Sequence, residues 1–215
     1  MHFNEVFRIM SKLQLKYYPD DILKQKAKKI SRFDASVRKL AADMLDTMYE
    51  SNGVGLAAPQ IGVSKRIMVI DIHRNDEDEN ESGKTSQKKG KPIVFINPQI
   101  VKQDGEMVGL EGCLSFPGVF FEVKRARSII VRYQNLAGKE QKIEASGDLL
   151  CRAIQHEIDH LDGELFVDKA VSPLVAQLEL SKHGFNADSQ GNITESLPLE
   201  PLPTAEEITP SVLIG

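Results

Sequence analysis

The sequence predicts an α+β fold, because segments with strand character are grouped together and segments with a helical period lie on either side of them. Residues 34–50 have apolar side chains at the i, i+3, i+4 and i+7 positions of an amphipathic helix. Several short segments between 66 and 145 are rich in β-branched residues, which is typical of strands. The helical period returns in residues 146–163. Helices and strands that are segregated along the chain favour this fold class.

Length and composition are those of one globular domain with a short extension. The 215 residues are 41% hydrophobic and 27% charged, and the net charge of −4 argues against a general nucleic-acid binder. No apolar run approaches the roughly 20 residues of a membrane span, and the N-terminus lacks the features of a secretory signal. We therefore expect a cytoplasmic protein that binds no membrane and no specific DNA. Only Cys113 and Cys151 are present, so a disulfide scaffold is excluded and both should be free thiols.

The first predicted helix spans residues 34–50, with Asp34 as its N-cap and SNGVG as its stop. The next segment, GVGLAAPQIG (53–62), is rich in glycine and alanine and contains a proline. It predicts a loop whose backbone comes close to another group. Two segments after it predict strands, RIMVIDI (66–72) and PIVFINP (92–98).

Downstream, β-branched residues predict further strands that lead into a second helix. These strands fall near 99–103, 119–124, 127–134 and 140–145. The helix lies within SGDLLCRAIQHEIDHLDG (146–163) and is unusually apolar, so we expect it to be buried. Asp148 falls in its first turn and Gly163 at its C′ position.

Two segments have no apolar period. HRNDEDENESGKTSQKKG (73–90) has an acidic block and then a basic one, and it predicts a long exposed hairpin loop. Residues 185–215 contain four prolines, which is typical of a linker or a disordered tail. We therefore predict a main domain of residues 1–170 and an extension of residues 171–215, formed by a short helix and then a flexible tail.

The sequence HEIDH (156–160) places two histidines one helical turn apart. Residues i and i+4 of a helix have Cβ atoms about 5–6 Å apart, so His156 and His160 can bind one ion. A catalytic zinc-type site has three protein ligands and a position open to water. The alternative is a pair of ordinary histidines on a charged helix face. Glu157 favours the metal site, because it completes the HExxH pattern in which the glutamate is the general base.

The spacing alone leaves the third ligand open. A metzincin would have a histidine at position 166, where this chain has Phe166, so that class is disfavoured. A downstream glutamate, as in thermolysin-like enzymes, would be Glu179. Cys113 is better placed, because it stands in a glycine-flanked turn within LEGCLSFPG (110–118), and its thiolate would complete a Cys-His-His site.

Three segments, in this order along the chain, resemble the signature motifs of peptide deformylases. They are GVGLAAPQIG (53–62), EGCLSFPG (111–118) and QHEIDHLDG (155–163), and the resemblance covers about residues 13–170. It implies a metal-dependent hydrolase that removes the formyl group from the N-terminal formylmethionine of newly made proteins and releases formate. We expect small antiparallel sheets around a central HExxH metal-binding helix, with the N-terminal helix packed outside.

The resemblance implies a role for each matching residue. The metal ligands would be Cys113, His156 and His160. Glu157 would take a proton from the attacking water and return it to the leaving amine. The side-chain amide of Gln60 and the backbone N–H of Leu114 would stabilise the oxyanion, and donors of this kind contribute about 2.7–4 kcal/mol each.

The methionine side chain is expected to enter an apolar pocket, while only the small formyl group has to fit at the metal. Gly55 would let the substrate backbone pass close by. Asp159 is predicted to pair with Arg125 and so to brace the metal-binding helix. The implied substrate-binding residues are Gly53, Val54, Gly55, Leu56, Glu111, Gly112, Phe116, Leu149, Arg152 and Ala153.

The donor set does not fix the metal. Two histidines and a thiolate accept zinc, iron(II), nickel or cobalt, and the resemblance implies iron(II) as the native ion. The expected partners are N-formylmethionyl nascent peptides and, transiently, the ribosome. Residues 171–215 contain one lysine and six acidic residues, so we expect them not to bind RNA strongly through electrostatic attraction.

Two other classes of protein are weighed against this one. A zincin-type metallopeptidase would cleave unformylated peptides and would use a third ligand other than Cys113. A purely structural metal site would have four ligands. The sequence offers three good ligands and an unused glutamate beside them, which disfavours the structural site.

Overall fold

The computed structural model describes residues 13–72, 77–79, 85–87, 91–187, 193–194 and 214. The helices are α1 (Ala35–Glu50), α2 (Leu149–Asp162) and α3 (Pro173–Lys182). The strands are β1 (Gly55–Ala57), β2 (Ile67–Ile70), β3 (Glu77–Glu79), β4 (Thr85–Gln87), β5 (Ile93–Asp104), β6 (Met107–Cys113), β7 (Phe116–Arg125), β8 (Ser128–Gln134), β9 (Glu140–Ser146), β10 (Asn186–Ala187) and β11 (Ile193–Thr194). Short 3-10 helices occupy Asp21–Lys24, Ala58–Ile61 and Phe166–Lys169.

Five strands form one antiparallel sheet in the order β1-β2-β5-β8-β9. Val69 of β2 pairs with Leu56 of β1 on one side and with Val94 of β5 on the other. The β6–β7 hairpin is a separate antiparallel pair, and so are β3–β4 and β10–β11. The predicted α+β class with antiparallel sheets is therefore confirmed.

The five-stranded sheet lies between α2 and α1. In β2, Met68 and Ile70 belong to the apolar cluster that contains the buried residues of α2, whereas Ile67 and Val69 belong to the cluster that contains those of α1. Successive side chains of a strand point to opposite faces, so the uniformly apolar β2 is covered on both of them. This arrangement makes α2 the central helix and α1 the outer one, as predicted.

The two predicted helices are present with the expected ends. Asp34 is the N-cap of α1. Asp148, predicted in the first turn of α2, precedes that turn as its N-cap and accepts a hydrogen bond from the backbone N–H of Cys151. Gly163 ends α2 with a φ of 76°, in the left-handed region that favours glycine. Every residue from Cys151 to Leu161 is buried, which agrees with the apolar character of the helix.

The main difference from the sequence prediction lies in residues 110–118, which were expected to form a turn. Cys113 is instead the last residue of β6, and the turn to β7 consists of Leu114 and Ser115. Gly112 serves strand packing, because a Cβ at this position would lie 2.3 Å from Cε1 of Phe120. The sequence prediction was wrong here because glycine was taken as a loop signal.

Other differences concern where strands begin and end. The predicted loop 53–62 contains β1 and a 3-10 helix. The segments predicted as separate strands at 92–98 and 99–103 form the single strand β5, with irregular pairing to β8 beyond Ile96 and a positive φ of 52° at Asn97.

The hairpin loop predicted for 73–90 contains the paired strands β3 and β4, and the remainder of it lies outside the described residues. Most of the tail predicted after 185 also lies outside the described residues. The domain boundary at 170 stays a prediction. Within the described ranges, no helix is both long enough and apolar enough to span a bilayer.

Candidate metal centre

Cys113, His156 and His160 come together in the interior, where the end of β6 meets the middle of α2. Their possible ligand atoms lie within 4.8 Å of one another. Sγ of Cys113 is 3.2 Å from Nε2 of His160, and the centroids of the two imidazole rings are 5.1 Å apart. Each of these residues is at most 1% exposed. Three residues from two distant motifs thus form one buried group.

Contacts in the middle and at the C-terminal end hold α2 in position. In the middle, the side-chain amide of Gln155 donates to the carbonyl of Ala126 and accepts from its N–H, each at 2.9 Å. At the C-terminal end, Arg66 donates to the carbonyl of Leu161 at 3.2 Å and to the carboxylate of Asp162 at 2.8 Å. Because the two histidines are one turn apart on this fixed helix, their rings point to the same side.

Glu111 determines which nitrogen of His156 carries the proton. Its Oε2 lies 2.9 Å from Nδ1 of His156, and its two oxygens accept hydrogen bonds of 2.8 and 2.7 Å from Arg125. Burial alone would raise the pKa of Glu111, but hydrogen bonds from Arg125 and His156 outweigh it and hold the pKa far below its usual value. An ionised carboxylate only accepts hydrogen bonds, so Nδ1 donates and Nε2 offers its lone pair.

A buried network of ion pairs extends from this contact. Arg125 also pairs with Asp159, which confirms the pairing predicted from the sequence. Asp159 in turn accepts from Lys169, and Nη1 of Arg152 donates to Glu111 at 2.7 Å. Glu111 and Arg125 are 0% and 4% exposed, so salt screens this part of the network little. The network braces α2 against the β6–β7 hairpin.

The group of Cys113, His156 and His160 fits a divalent metal ion. Nε2 of His156 and Nδ1 of His160 are buried without a hydrogen-bond partner in the part of the chain that the structure describes. Burial and the neighbouring His156 lower the pKa of His160, which keeps its ring neutral and able to bind a metal. Burial raises the pKa of the Cys113 thiol, and a bound cation favours the thiolate instead.

The number of donors is that of a catalytic site and not of a closed structural one. Among the described residues, no further histidine, cysteine or carboxylate joins the three. Two nitrogens and a sulfur suit zinc or another borderline transition metal ion.

Glu157 follows His156 on α2, and both of its carboxylate oxygens are buried. Neither oxygen has a hydrogen-bond partner among the residues described. Burial raises the pKa of Glu157 above its ordinary range, with Arg125 opposing this rise and Glu111 adding to it. Gly55 packs directly against the carboxylate, since a Cβ at that position would lie 2.5 Å from Oε1. The carboxylate can therefore exchange a proton with a small molecule at the centre.

Gln60 is fully buried and its amide is oriented from both ends. Oε1 accepts from the N–H of Ala57 at 2.8 Å, which turns Nε2 towards Sγ of Cys113 at 3.7 Å and Oγ of Ser115 at 3.4 Å. Gln60 is thus part of the interior next to Cys113 and not a surface side chain. Leu114, the other predicted oxyanion donor, lies in the turn that directly follows Cys113.

Several residues predicted to bind substrate share one apolar cluster or line a cavity beside it. Val54 and Ala153 belong to the same apolar cluster, and Leu149 packs against it. Leu149 and Arg152 also line a cavity of about 690 Å³ between β6 and the start of α2.

Other residues predicted to bind substrate have different surroundings in the structure. The carboxylate of Glu111 lies behind His156, as described above. Phe116 is 0% exposed and stacks on Tyr18 with ring centroids 5.0 Å apart. Leu56 belongs to the cluster that faces α1. A Cβ on Gly53 would lie 2.9 Å from Cδ1 of Leu114, so this glycine adjoins the turn after Cys113.

The sequence prediction missed Gln155, Ser115 and Arg66. The first two lie inside the motifs that carried the resemblance, next to His156 and two residues after Cys113, so motif membership was an available signal. Arg66 gave no such signal, because its partners at the end of α2 are distant in sequence.

A buried cysteine and two imidazoles form the arrangement of a metal-dependent hydrolase, together with a glutamate on the same helix that has no hydrogen-bond partner among the described residues. Residues 12–175 match the family model for polypeptide deformylase. The peptide deformylase of Thermosynechococcus vestitus is 47% identical over 178 residues, which are 82% of this chain and 88% of that protein. The peptide deformylase of Thermodesulfovibrio yellowstonii is 46% identical over 169 residues, 79% of this chain and 94% of that protein.

Solved structures give the same result. The crystal structure of a peptide deformylase from Synechococcus elongatus in complex with actinonin matches with a TM-score of 0.71 and 39% identity, covering 83% of this chain and 88% of that one. The crystal structure of the peptide deformylase from Thermus thermophilus matches with a TM-score of 0.67 and 37% identity, covering 79% and 91%. The chain belongs to the polypeptide deformylase family, which confirms the family and the class of hydrolase predicted from the three motifs.

Proposed function

We propose that this chain hydrolyses the formamide at the N-terminus of formylmethionyl peptides and releases formate. One observation carries the proposal: the buried, unpartnered carboxylate of Glu157 lies next to the Cys-His-His group and against the backbone of Gly55, as far as the described chain extends. Family membership supports it, because deformylation of such peptides is the activity of polypeptide deformylases.

Cys113, His156 and His160 would hold the metal ion, with His156 contributing Nε2. When bound, a divalent ion supplies Lewis acidity and lowers the pKa of water within its reach to about 7. We propose iron(II) as the native ion, and zinc, nickel and cobalt as ions that the same donors accept. The contact between Glu111 and His156 supports Nε2 as the atom of His156 that binds the ion, since it keeps the proton on Nδ1.

Glu157 would carry the proton that the hydrolysis moves. Water forms a new C–O bond with the formyl carbon, and its proton passes to the carboxylate of Glu157. When the C–N bond breaks, Glu157 delivers this proton to the nitrogen of the leaving methionine. The products are formate and a free α-amino group. Because Glu157 has no protein partner in the described ranges, no hydrogen bond has to break before the first transfer.

Gln60 and Leu114 would stabilise the negative charge that develops on the formyl oxygen. Nε2 of Gln60 needs little reorganisation, because the N–H of Ala57 already holds the other end of the amide. Preoriented donors of this kind contribute about 2.7–4 kcal/mol each in comparable sites. Leu114 would add its backbone N–H from the turn after Cys113.

The methionine side chain would enter the apolar region of Val54, Ala153 and Leu149. Gly55 would let the substrate backbone approach Glu157, because a glycine has no side chain and a Cβ at this position would lie against the carboxylate. The cavity lined by Leu149 and Arg152 would give room to the peptide that follows.

The remaining assignments follow from this activity. Residues 1–170 would form the catalytic domain and residues 171–215 an extension. The substrates would be nascent chains in the cytoplasm, met at the ribosome only transiently.

Formate release from formyl-Met-Ala tests the proposal, with the protein loaded with iron(II) and kept free of oxygen. We expect formate from this peptide and no cleavage of an unformylated peptide of the same sequence. Cleavage of the unformylated peptide would favour the zincin-type metallopeptidase. Absence of formate would reject the proposal.

A further inference from the structure

Ile214 is buried in the main domain although it lies far along the chain from the other residues there. It is 1% exposed and belongs to the apolar cluster between α2 and the five-stranded sheet. The remaining members of that cluster lie between Ala27 and Leu161. A residue near the end of the sequence thus completes a core built by the first three quarters of it.

The same cluster includes residues assigned above to the methionine site. Val54 and Ala153 belong to it, and Leu149 packs against it. These are the residues assigned above to the apolar region that receives the methionine side chain of the substrate. Isoleucine and methionine both have apolar side chains of four heavy atoms, and an apolar pocket discriminates weakly between side chains of such similar size.

We propose that Ile214 occupies the methionine site, so that the segment of this chain around Ile214 is an intramolecular competitor of the substrate. The inference rests on the proposed function, because that function assigns the site. The methionine site would then bind two kinds of ligand: the methionine of the substrate and an aliphatic residue of this chain's own extension.

Length and charge are compatible with this occupant. The stretch 195–213 can span about 60 Å when fully extended, which exceeds the radius of about 15 Å expected for a domain of this size. Residues 188–215 contain five acidic residues and no lysine or arginine. The cavity next to the cluster is lined by two arginines, Arg127 and Arg152, and by one carboxylate, that of Asp148. The net positive charge of this lining favours an acidic segment.

The expected effect is a change in KM. Burial of an isoleucine side chain raises the equilibrium constant for the bound segment by a factor of about 10 to 100. The entropy lost when the segment becomes ordered lowers this factor. A linked segment acts at an effective concentration on the order of millimolar. We therefore expect release of the segment to lower the KM for formyl-Met-Ala about threefold or more, with kcat unchanged.

The test compares the full-length metal-loaded parent with the variant Ile214→Asp, since an aspartate is disfavoured in an apolar cluster. The matched control is Leu174→Asp on α3, where the same charge is added to a residue that is 66% exposed. A lower KM in I214D and a parental KM in L174D would support the proposal. In I214D, a synthetic peptide of residues 208–215 should inhibit competitively, and the same peptide with aspartate at position 214 should not.

A structural role of Ile214 alone predicts a different result, namely a lower melting temperature with an unchanged KM and no inhibition by the peptide. That result would overturn the proposal. If I214D does not fold, Ile214→Ala replaces it in the same comparison. If the parent releases no formate, the proposed function fails, and calorimetric binding of the 208–215 peptide to I214D still decides whether the segment has a site.

Discussion

The carboxylate of Glu111 lies 2.9 Å from Nδ1 of His156. The same carboxylate accepts from Arg125 and Arg152, so two guanidinium groups keep it ionised. This contact links the metal-binding helix to the β6–β7 hairpin and leaves Nε2 of His156 ready to bind an ion. The orientation of His156 therefore depends on a residue outside the Cys-His-His group.

Replacement of Glu111 by glutamine should lower metal affinity about 10- to 100-fold, which is typical for partners that orient a ligand histidine. The amide has no charge to hold the buried guanidinium groups. Metal content after dialysis against a chelator measures the effect. The matched control is Glu144→Gln, which removes an exposed carboxylate paired with Lys142 and should leave metal content unchanged. Equal metal retention by the two variants would contradict the role given to Glu111.

Replacement of Arg125 by methionine should destabilise the fold, because it leaves Glu111 and Asp159 buried without their shared cation. Breaking a buried pair in this way costs about 3–5 kcal/mol of unfolding free energy, which urea denaturation measures. Metal content should fall as well, since Glu111 is no longer held in place. Lys124→Met is the control, because its exposed pair with Glu106 contributes little. Parental stability and metal content in R125M would remove the bracing role.

Replacement of Gly55 by alanine should impair turnover without loss of the metal. The new Cβ would lie 2.5 Å from Oε1 of Glu157 and would displace that carboxylate. A misplacement of about 1 Å can reduce a rate about 100-fold, so we expect a fall in kcat of that order. Gly53→Ala is the control, because its Cβ would instead meet the flexible Cδ1 of Leu114 at 2.9 Å and the backbone oxygen of Gly55 at 3.3 Å. An equal fall in both variants would show that the contact with Glu157 is not the cause.

The N-cap of α1 gives a prediction for pH dependence. Hydrogen bonds from the Ser36 hydroxyl and from the backbone N–H groups of Val37 and Ser36 lower the pKa of Asp34 below its usual value of 3.8. A group whose pKa is lowered by folding stabilises the protein above its unfolded pKa, and this contribution is lost as the pH falls through the folded pKa. Asp34→Ala should therefore lower the melting temperature at pH 7, and the difference from the parent should shrink below about pH 4.

The control for this prediction is Asp34→Asn, which keeps an uncharged capping oxygen. It should retain most of the parental melting temperature at pH 7, as measured by circular dichroism. A difference between parent and D34A that stays constant from pH 7 to pH 3 would contradict the assignment of the cap as an ionised carboxylate.

Features set by nearby residues could be predicted from the sequence. Asp34 and Gly163 lie directly at the ends of α1 and α2, so the apolar period and the cap residues identify them together. The spacing of His156 and His160 is likewise a property of one helical turn. Cys113 lies on another element, and the second motif indicated it as the third ligand without knowledge of the fold.

Features set by tertiary packing could not be predicted in this way. Gly112 looks like a loop residue until the ring of Phe120 is found against it. Glu111 was expected at the substrate, because its motif does not tell which way the carboxylate points, and only the positions of Arg125 and His156 decide that. Ile214 carries no periodic signal at all, and its burial depends on a cluster built from distant parts of the chain.

The most direct test separates metal binding from proton transfer, by measuring formate release and metal content together in the parent, Glu157→Ala and Cys113→Ala. Both variants should lose nearly all turnover of formyl-Met-Ala, and only Cys113→Ala should also lose the ion. Substantial turnover by Glu157→Ala, or full metal retention by Cys113→Ala, would contradict the assignment of a three-ligand centre served by a separate proton carrier.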